Sequence, residues 1–194
     1  MKDLYLIGGG GHCRSCIDVI ELEGQYRILG IFDRKENIGG EVLGYKIIGS
    51  DDDLAQYVSQ STFFLITVGQ IKTADIRINI FDKLISLKAK LATVISPRSY
   101  VAKHAAVLEG TIVLHDALIN SNAKVGMNCI INTKSLIEHD AVVGDHCHVS
   151  TAAVINGGCI IENGSFVGSN TVLKESITVP EKSVIPAGSF YRGK

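Results

Sequence analysis

The stretch VGMNCIINTKSLIEHDAVVGDHCHVSTAAVI, residues 125–155, carries an aliphatic residue at every sixth position: Val125, Ile131, Ile137, Val143, Val149 and Ile155. The same step taken outward, from Ile95 to Ile185, meets an aliphatic residue sixteen times without a break, and only Leu173 among them is not β-branched. Four places after each of these comes a small Ala, Cys, Ser or Thr, everywhere except at Ile177. A helical stripe needs a period near 3.6, which six does not supply, whereas β-branched residues suit a pleated, buried surface. The pattern describes a chain that makes a short strand, turns a tight corner and repeats, which is a parallel β-helix. Three strands per coil take eighteen residues, so about five coils rise roughly 24 Å at the ~4.8 Å spacing of paired strands. Cys129, Cys147 and Cys159 occupy the small corner position and are read as packing residues.

Composition bounds the class. The 194 residues are 46% apolar with a formal charge of -1, enough for a sizeable core and without the basic bias of a nucleic-acid binder. No run of eighteen apolar residues offers a membrane span. The opening MKDLYLIGGGG has too short an apolar run for a secretory signal, so a soluble cytoplasmic protein is expected. Five cysteines, an odd number without small-scaffold spacing, point to reduced thiols.

Residues 1–93 read differently, as alternating strands and helices. DLYLIGG, YRILGIFD and STFFLITVG look like buried strands, while residues 11–23 and TADIRINIFDKLISL look like helices, so a small parallel α/β sheet is expected. GGGGHC falls where a strand-to-helix turn offers backbone N–H groups to a phosphate, and Asp33 ends the second strand, where an acid accepts from a ribose hydroxyl. Cys13 stands where the dinucleotide fingerprint has its third glycine, so the turn favours a nucleotide without specifying NAD. Cys13 and Cys16 form a C-x-x-C read as small residues packing the first helix on the sheet, in preference to a redox pair. Asp51, Asp52 and Asp53 are expected to cap a helix ending near Val58.

His139, His146 and His148 lie within ten positions. In the six-residue frame Ile137 and Ala141 point inward, Glu138 faces out, His139 and Asp140 form a corner, and His148 faces out, so the histidines are expected on the exterior. A zinc site shared between subunits of a β-helix uses histidines five residues apart, and Gly144 stands at that distance from His139; no metal is expected.

With INTKSLIEHDAVVGDHCHVSTAAVINGG and FVGSNTVL in view, the chain resembles, over nearly its whole length, the bacterial sugar acyltransferases of the NeuD and PglD type. That resemblance implies an α/β N-terminal Rossmann-like domain, residues 1–93, binding a sugar nucleotide. It is followed by an all-β left-handed parallel β-helix of hexapeptide repeats, residues 94–194, binding acetyl-CoA between the subunits of a homotrimer. The left hand comes from the resemblance, since the general rule for β crossovers would give a right hand. The resemblance makes His139 the catalytic base with Asp140 raising its basicity. It puts Gly10, Gly11, His12, Asp33, Arg34 and Gly69 on the nucleotide-sugar side, and His148, Gly157 and Ser169 on the acetyl-CoA side. The tail SVIPAGSFYRGK departs from the family's G-x-P-A-K ending, so no CoA contact is carried over there.

The expected reaction is direct acyl transfer, in which a sugar amine attacks the thioester carbonyl, His139 takes its proton and coenzyme A leaves. No acyl-cysteine is needed. The leading expectation is an acetyl-CoA-dependent N-acetyltransferase acting on a nucleotide-linked 4-amino-4,6-dideoxy sugar in surface glycan biosynthesis. O-acetylation of sialic acid or a related sugar is the nearest alternative. A non-catalytic nucleotide-sugar-binding scaffold, or a dehydrogenase using the glycine turn, is the alternative of another class.

Overall fold

In the computed structural model, which describes residues 1–193, the first part of the chain builds a six-stranded sheet. Its strands are β1 (Lys2–Ile7), β2 (Tyr26–Phe32), β3 (Glu41–Val42), β4 (Tyr45–Gly49), β5 (Thr62–Ile66) and β6 (Lys90–Leu91), in the order β3-β4-β2-β1-β5-β6. All pair in parallel except the β3–β4 hairpin, whose two-residue turn holds Leu43 at φ 48 and Gly44 at φ 86. Helix α1 (Gly11–Glu23) ends on Gly24 in the left-handed region, whose N–H caps the carbonyl of Ile20. Helix α2 (Asp75–Ser86) lays Ile80, Phe81 and Leu84 against Ile7, Phe32, Phe64 and Ile66 on one face of the sheet. On the other face α1 buries Cys13, Cys16, Ile17, Val19 and Ile20 between Leu4, Leu6 and Ile31 and the outer residues Val94, Ile112 and Ile130 of the coils. Cys13 and Cys16 are therefore packing residues, and burial pushes both thiols up, to about 11 and beyond the thiol range respectively.

The acidic run differs from expectation. Residues 54–56 form only one 3-10 turn, and Asp53 makes no cap to it. Its Oδ2 accepts from Ser50 N and Ser50 Oγ instead, and Asp52 pairs with Lys35 at 2.8 Å. A local turn around Ser50 satisfies the carboxylate before a helix can use it.

From Val94–Ile95 to Phe190–Tyr191 the chain makes seventeen two-residue strands in three parallel sheets, a left-handed parallel β-helix. Each strand pairs with the one eighteen residues on, as Ile112 with Ile130, Leu118 with Leu136 and Lys124 with Val142. The second residue of each strand points inward, and from Val113 to Ile185 these side chains form one closed core. Every corner from Gly110 to Gly188 places the residue just before the small one at positive φ, fourteen times in succession. Glycine, asparagine or aspartate fills most of these corners, the residues that adopt that region at least cost. The small residues do more than fit. Thr111 Oγ1, Cys129 Sγ, Cys147 Sγ, Ser165 Oγ and Thr171 Oγ1 each donate, at 2.7–3.2 Å, to the carbonyl fifteen residues ahead, so corner atoms inside the coil keep their partners. Among the described residues no helix is long and apolar enough to cross a membrane.

The expectation of exterior histidines is corrected for two of the three. His148 does point out of the coil, yet it is only 7% exposed because the N-terminal domain covers that face. His146 stacks edge-on against Phe81 with centroids 4.9 Å apart. Only His139 is open to solvent.

Candidate active site

Two cavities carry the residues of interest, and they lie on different corners of the coil. The larger, about 1180 Å³, opens above the C-terminal ends of β1, β2, β4 and β5. Ligand crevices of parallel sheets sit there, where neighbouring strands run to opposite sides of the first. Gly8 is at φ 106 and leaves no room for a Cβ, which would come 2.5 Å from Val68 Cγ2; Gly9 is closed off by Asp33 Oδ2. Gly10 and Gly11 face open space at the start of α1, so a ligand can approach their backbone. Asp33 is set by two backbone donors, Gly9 N at 2.8 Å to Oδ2 and Arg34 N at 2.7 Å to Oδ1. Arg34 also lines the cavity, as do His12 and Gly69. A Cβ on Gly69 would lie 3.5 Å from His12 Cβ, so the two backbones are in close approach.

The opposite wall comes from the coil: Asn132, Thr133, His148 and Thr151. His148 Nδ1 donates to the carbonyl of Gln70 at 2.6 Å, which leaves Nε2 to accept from Asn132 Nδ2 at 3.1 Å. Burial, with Arg77 behind it, holds His148 down to about 4. The same causes, with His148 added, hold His12 down to about 3. Both imidazoles are neutral at physiological pH. Ser169, one coil above Thr151, shares a contact with Ser150 at 3.0 Å.

The second cavity is a groove of about 750 Å³ along the next corner, lined by Glu138, His139, Asp140, Asn156, Gly157, Gly158, Glu175 and Ser176. His139 Nδ1 meets Asp140 Oδ2 at 2.8 Å. Asp140 sits at φ 60, the corner residue of its repeat, and its Oδ1 accepts from Asn122 Nδ2 at 2.7 Å. Glu138 Oε2 accepts from Asn120 Nδ2 at 2.7 Å. The hydrogen bond to Asp140 lifts His139 above the ordinary imidazole value, and Glu138 adds to it. Asn122 and then His139 hold Asp140 below the usual carboxylate range. The imidazole rests over Gly157, where a Cβ would come 2.8 Å from both Cε1 and Nε2. A basic, carboxylate-oriented imidazole with a free Nε2 at a groove is equipped to take a proton from a bound nucleophile.

The sequence thus named residues that the fold divides in two. Gly10, Gly11, His12, Asp33, Arg34, Gly69 and His148 surround one cavity; His139, Asp140 and Gly157 form the other; Ser169 lines neither. His148, expected on the acetyl-CoA side, borders the glycine-turn cavity. Asn122 was missed although its spacing of eighteen from Asp140 announces that it lies directly beneath it. Gln70, Arg77 and Asn132 were missed because nothing local marks them. Among the described residues no three His, Cys, Asp or Glu side chains are grouped to hold a metal.

Residues 3–84 match the PglD N-terminal domain family. No curated protein matches the chain in sequence. Among solved structures, the acetyltransferase domain of PglB from Neisseria gonorrhoeae FA1090 is 24% identical, with a TM-score of 0.91 over 100% of this chain and 93% of that one. A second structure of that domain, in complex with acetyl coenzyme A, has a TM-score of 0.87. A histidine-to-alanine variant of GDP-perosamine N-acetyl transferase from Caulobacter crescentus, in complex with CoA and GDP-perosamine, is 23% identical with a TM-score of 0.75 over 97% and 92% of the two chains. WeeI from Acinetobacter baumannii AYE is 18% identical with a TM-score of 0.76 over 97% and 95%. The protein therefore has the two-part fold of these acetyltransferase structures, and the match to the PglD N-terminal domain family covers residues 3–84.

Proposed function

We propose that the protein is an acetyl-CoA-dependent N-acetyltransferase acting on a nucleotide-linked amino sugar of the 4-amino-4,6-dideoxy type, working as a homotrimer. The observation that carries this reading is the His139–Asp140 pair, 2.8 Å apart and seated over Gly157 in an open groove. The sugar amine attacks the acetyl carbonyl; as the C–N bond forms, His139 Nε2 takes the ammonium proton. Collapse of the tetrahedral intermediate breaks the C–S bond, and the imidazolium returns the proton to the departing thiolate. Asp140 fixes the tautomer that leaves Nε2 free and favours the imidazolium that forms. The glycine turn and Asp33 hold diphosphate and ribose at the other cavity.

Within one chain His139 is not part of the larger cavity. The two corners flank a single sheet, whose outward residues are Tyr100, Leu118, Leu136, Val154, Val172 and Phe190, apolar from end to end. Tyr100 is 60% and Phe190 56% exposed. An uninterrupted apolar sheet face asks for cover, and a closed three-fold packing of that face brings the His139 corner of one subunit to the cavity of the next.

The test is thioester consumption with UDP-, GDP- and dTDP-linked amino sugars and with hydroxyl sugars. His139→Ala is expected to lower kcat by roughly 10² to 10⁴ while acetyl-CoA still binds, because a general base acts in the transition state. Transfer to hydroxyl sugars alone would make the enzyme an O-acetyltransferase. Nucleotide-sugar binding without transfer to any of them would make it a scaffold.

A further inference from the structure

Arg77 stands in the first turn of α2 and is 1% exposed. Its Nη1 donates to the carbonyls of Ile66 at 2.9 Å and Val68 at 2.7 Å, and its Nη2 to the carbonyl and Oδ1 of Asn128 at 2.9 and 2.6 Å. Its Nε has no partner among the described residues. Every acceptor is neutral, and among the described residues no carboxylate pairs with it. A buried cation without a counter-ion is costly, and a neutral side chain of the same length could tie the same carbonyls without that cost. Burial lowers the guanidinium only to about 10, so it stays charged at physiological pH.

The position of that charge says what it serves. Val68, whose carbonyl its Nη1 grips, lines the large cavity together with the Gly69 and Gln70 that follow it. His12 and His148, which border the same cavity, are both held neutral by burial with Arg77 adding to it, so neither imidazole supplies charge to that wall. The other cations of the cavity, Arg34 and Lys35, follow Asp33 in the chain, and Lys35 is paired with Asp52 at 2.8 Å. Opposite, Gly10 and Gly11 present open backbone at the start of α1.

We propose that Arg77 is the buried counter-charge of this cavity, a positioning residue acting through one layer of backbone, whose missing anion is the diphosphate of the bound ligand. The proposal rests on the nucleotide-sugar reading above. Two substitutions separate charge from geometry: Arg77→Gln keeps N–H donors for the carbonyls and loses the charge, whereas Arg77→Lys keeps the charge and loses the planar fork. Calorimetric titration of the full chain with UDP, GDP and dTDP identifies the tightest diphosphate, which is then compared with its uncharged nucleoside. Arg77→Gln should weaken the diphosphate at least about tenfold, the scale of one charge pair some 10 Å apart at an effective dielectric of about 20, and leave the nucleoside within about twofold. Arg77→Lys should stay within about threefold for the diphosphate. Equal losses for the two variants, or a nucleoside loss matching the diphosphate loss, would reduce Arg77 to a staple between the domains and overturn the proposal. Should Arg77→Gln not fold, Arg77→Lys alone decides: its diphosphate affinity must fall as pH rises and the buried ammonium deprotonates, while wild type stays flat; parallel profiles overturn it. A wild type that binds none of the three diphosphates defeats the nucleotide-sugar reading itself. Tight diphosphate binding that survives Arg77→Gln defeats only the role given to Arg77.

Discussion

Gly157→Ala isolates the geometry of the proposed catalytic pair, His139 and Asp140, from its chemistry. The glycine is not at positive φ, so alanine is free to take its backbone conformation, and the nearest obstacle to the new methyl is His139, 2.8 Å away at both Cε1 and Nε2. Ordinary carbon contacts begin near 3.5 Å, so the ring must retreat by roughly 0.7 Å. His139 is 64% exposed and free to swing outward, which makes the adjustment cheap for the fold. The same swing pulls Nδ1 from its 2.8 Å contact with Asp140 to about 3.5 Å, past the limit of a useful hydrogen bond. Misplacement of a reacting group by about 1 Å costs up to 10²-fold in rate, so kcat should fall by roughly ten- to a hundredfold at saturating substrates. With the contact gone the imidazole loses the interaction that raises it, and the acid limb of the kcat–pH profile should move to lower pH. Melting temperature should stay within about 1 °C, since no buried contact is lost. The assay is thiol release from acetyl-CoA across pH, with calorimetry alongside. A kcat within twofold of wild type, with an unmoved acid limb, would show that the ring is not held between Gly157 and Asp140, or is not the base.

Asp140→Asn should lower kcat less than His139→Ala and shift the acid limb the same way as Gly157→Ala: the base works deprotonated, and removing the carboxylate lowers the pH at which it becomes so. A limb that stays in place, read from the same thiol-release profile, would deny Asp140 its role. Val154→Lys, in the middle of the apolar sheet face, should give folded monomers by sedimentation velocity that retain nucleotide binding and lose transfer; an active trimer would move the interface elsewhere. Ile137→Ala, one residue from the Glu138–Asp140 corner but 0% exposed inside the coil, should lose about 2 to 5 kcal/mol in urea unfolding, where His139→Ala loses almost nothing.

The hexads were legible because a β-helix repeats locally: every corner needs the same small residue and every strand the same inward aliphatic, so the period of six, the eighteen-residue coil and the inward set from Val113 to Ile185 could be read from the chain. The strands and helices of residues 1–93 were legible for a similar reason, each being a periodic segment bounded by glycine or polar residues. The two-residue strands β3 and β6 were not, since two residues carry no period, and the five-residue β4 was left unread with its hairpin partner. Adjacency along the chain already places His139 and Asp140 on one corner, while the role expected of them came from the family resemblance. What only the tertiary structure decided is which outward faces are covered. The same outward position is apolar and half-open at Leu136 and closed over at His148, and the difference lies in a domain more than seventy residues upstream, through the Gln70 carbonyl. Arg77 is the sharpest case: in sequence it is one polar residue on an amphipathic helix, and its burial follows from Asn128 arriving fifty-one residues later. A local pattern specifies which side of a strand points out of its own coil; what meets that side is set by packing between distant segments, and the chain carries no short-range signal for it.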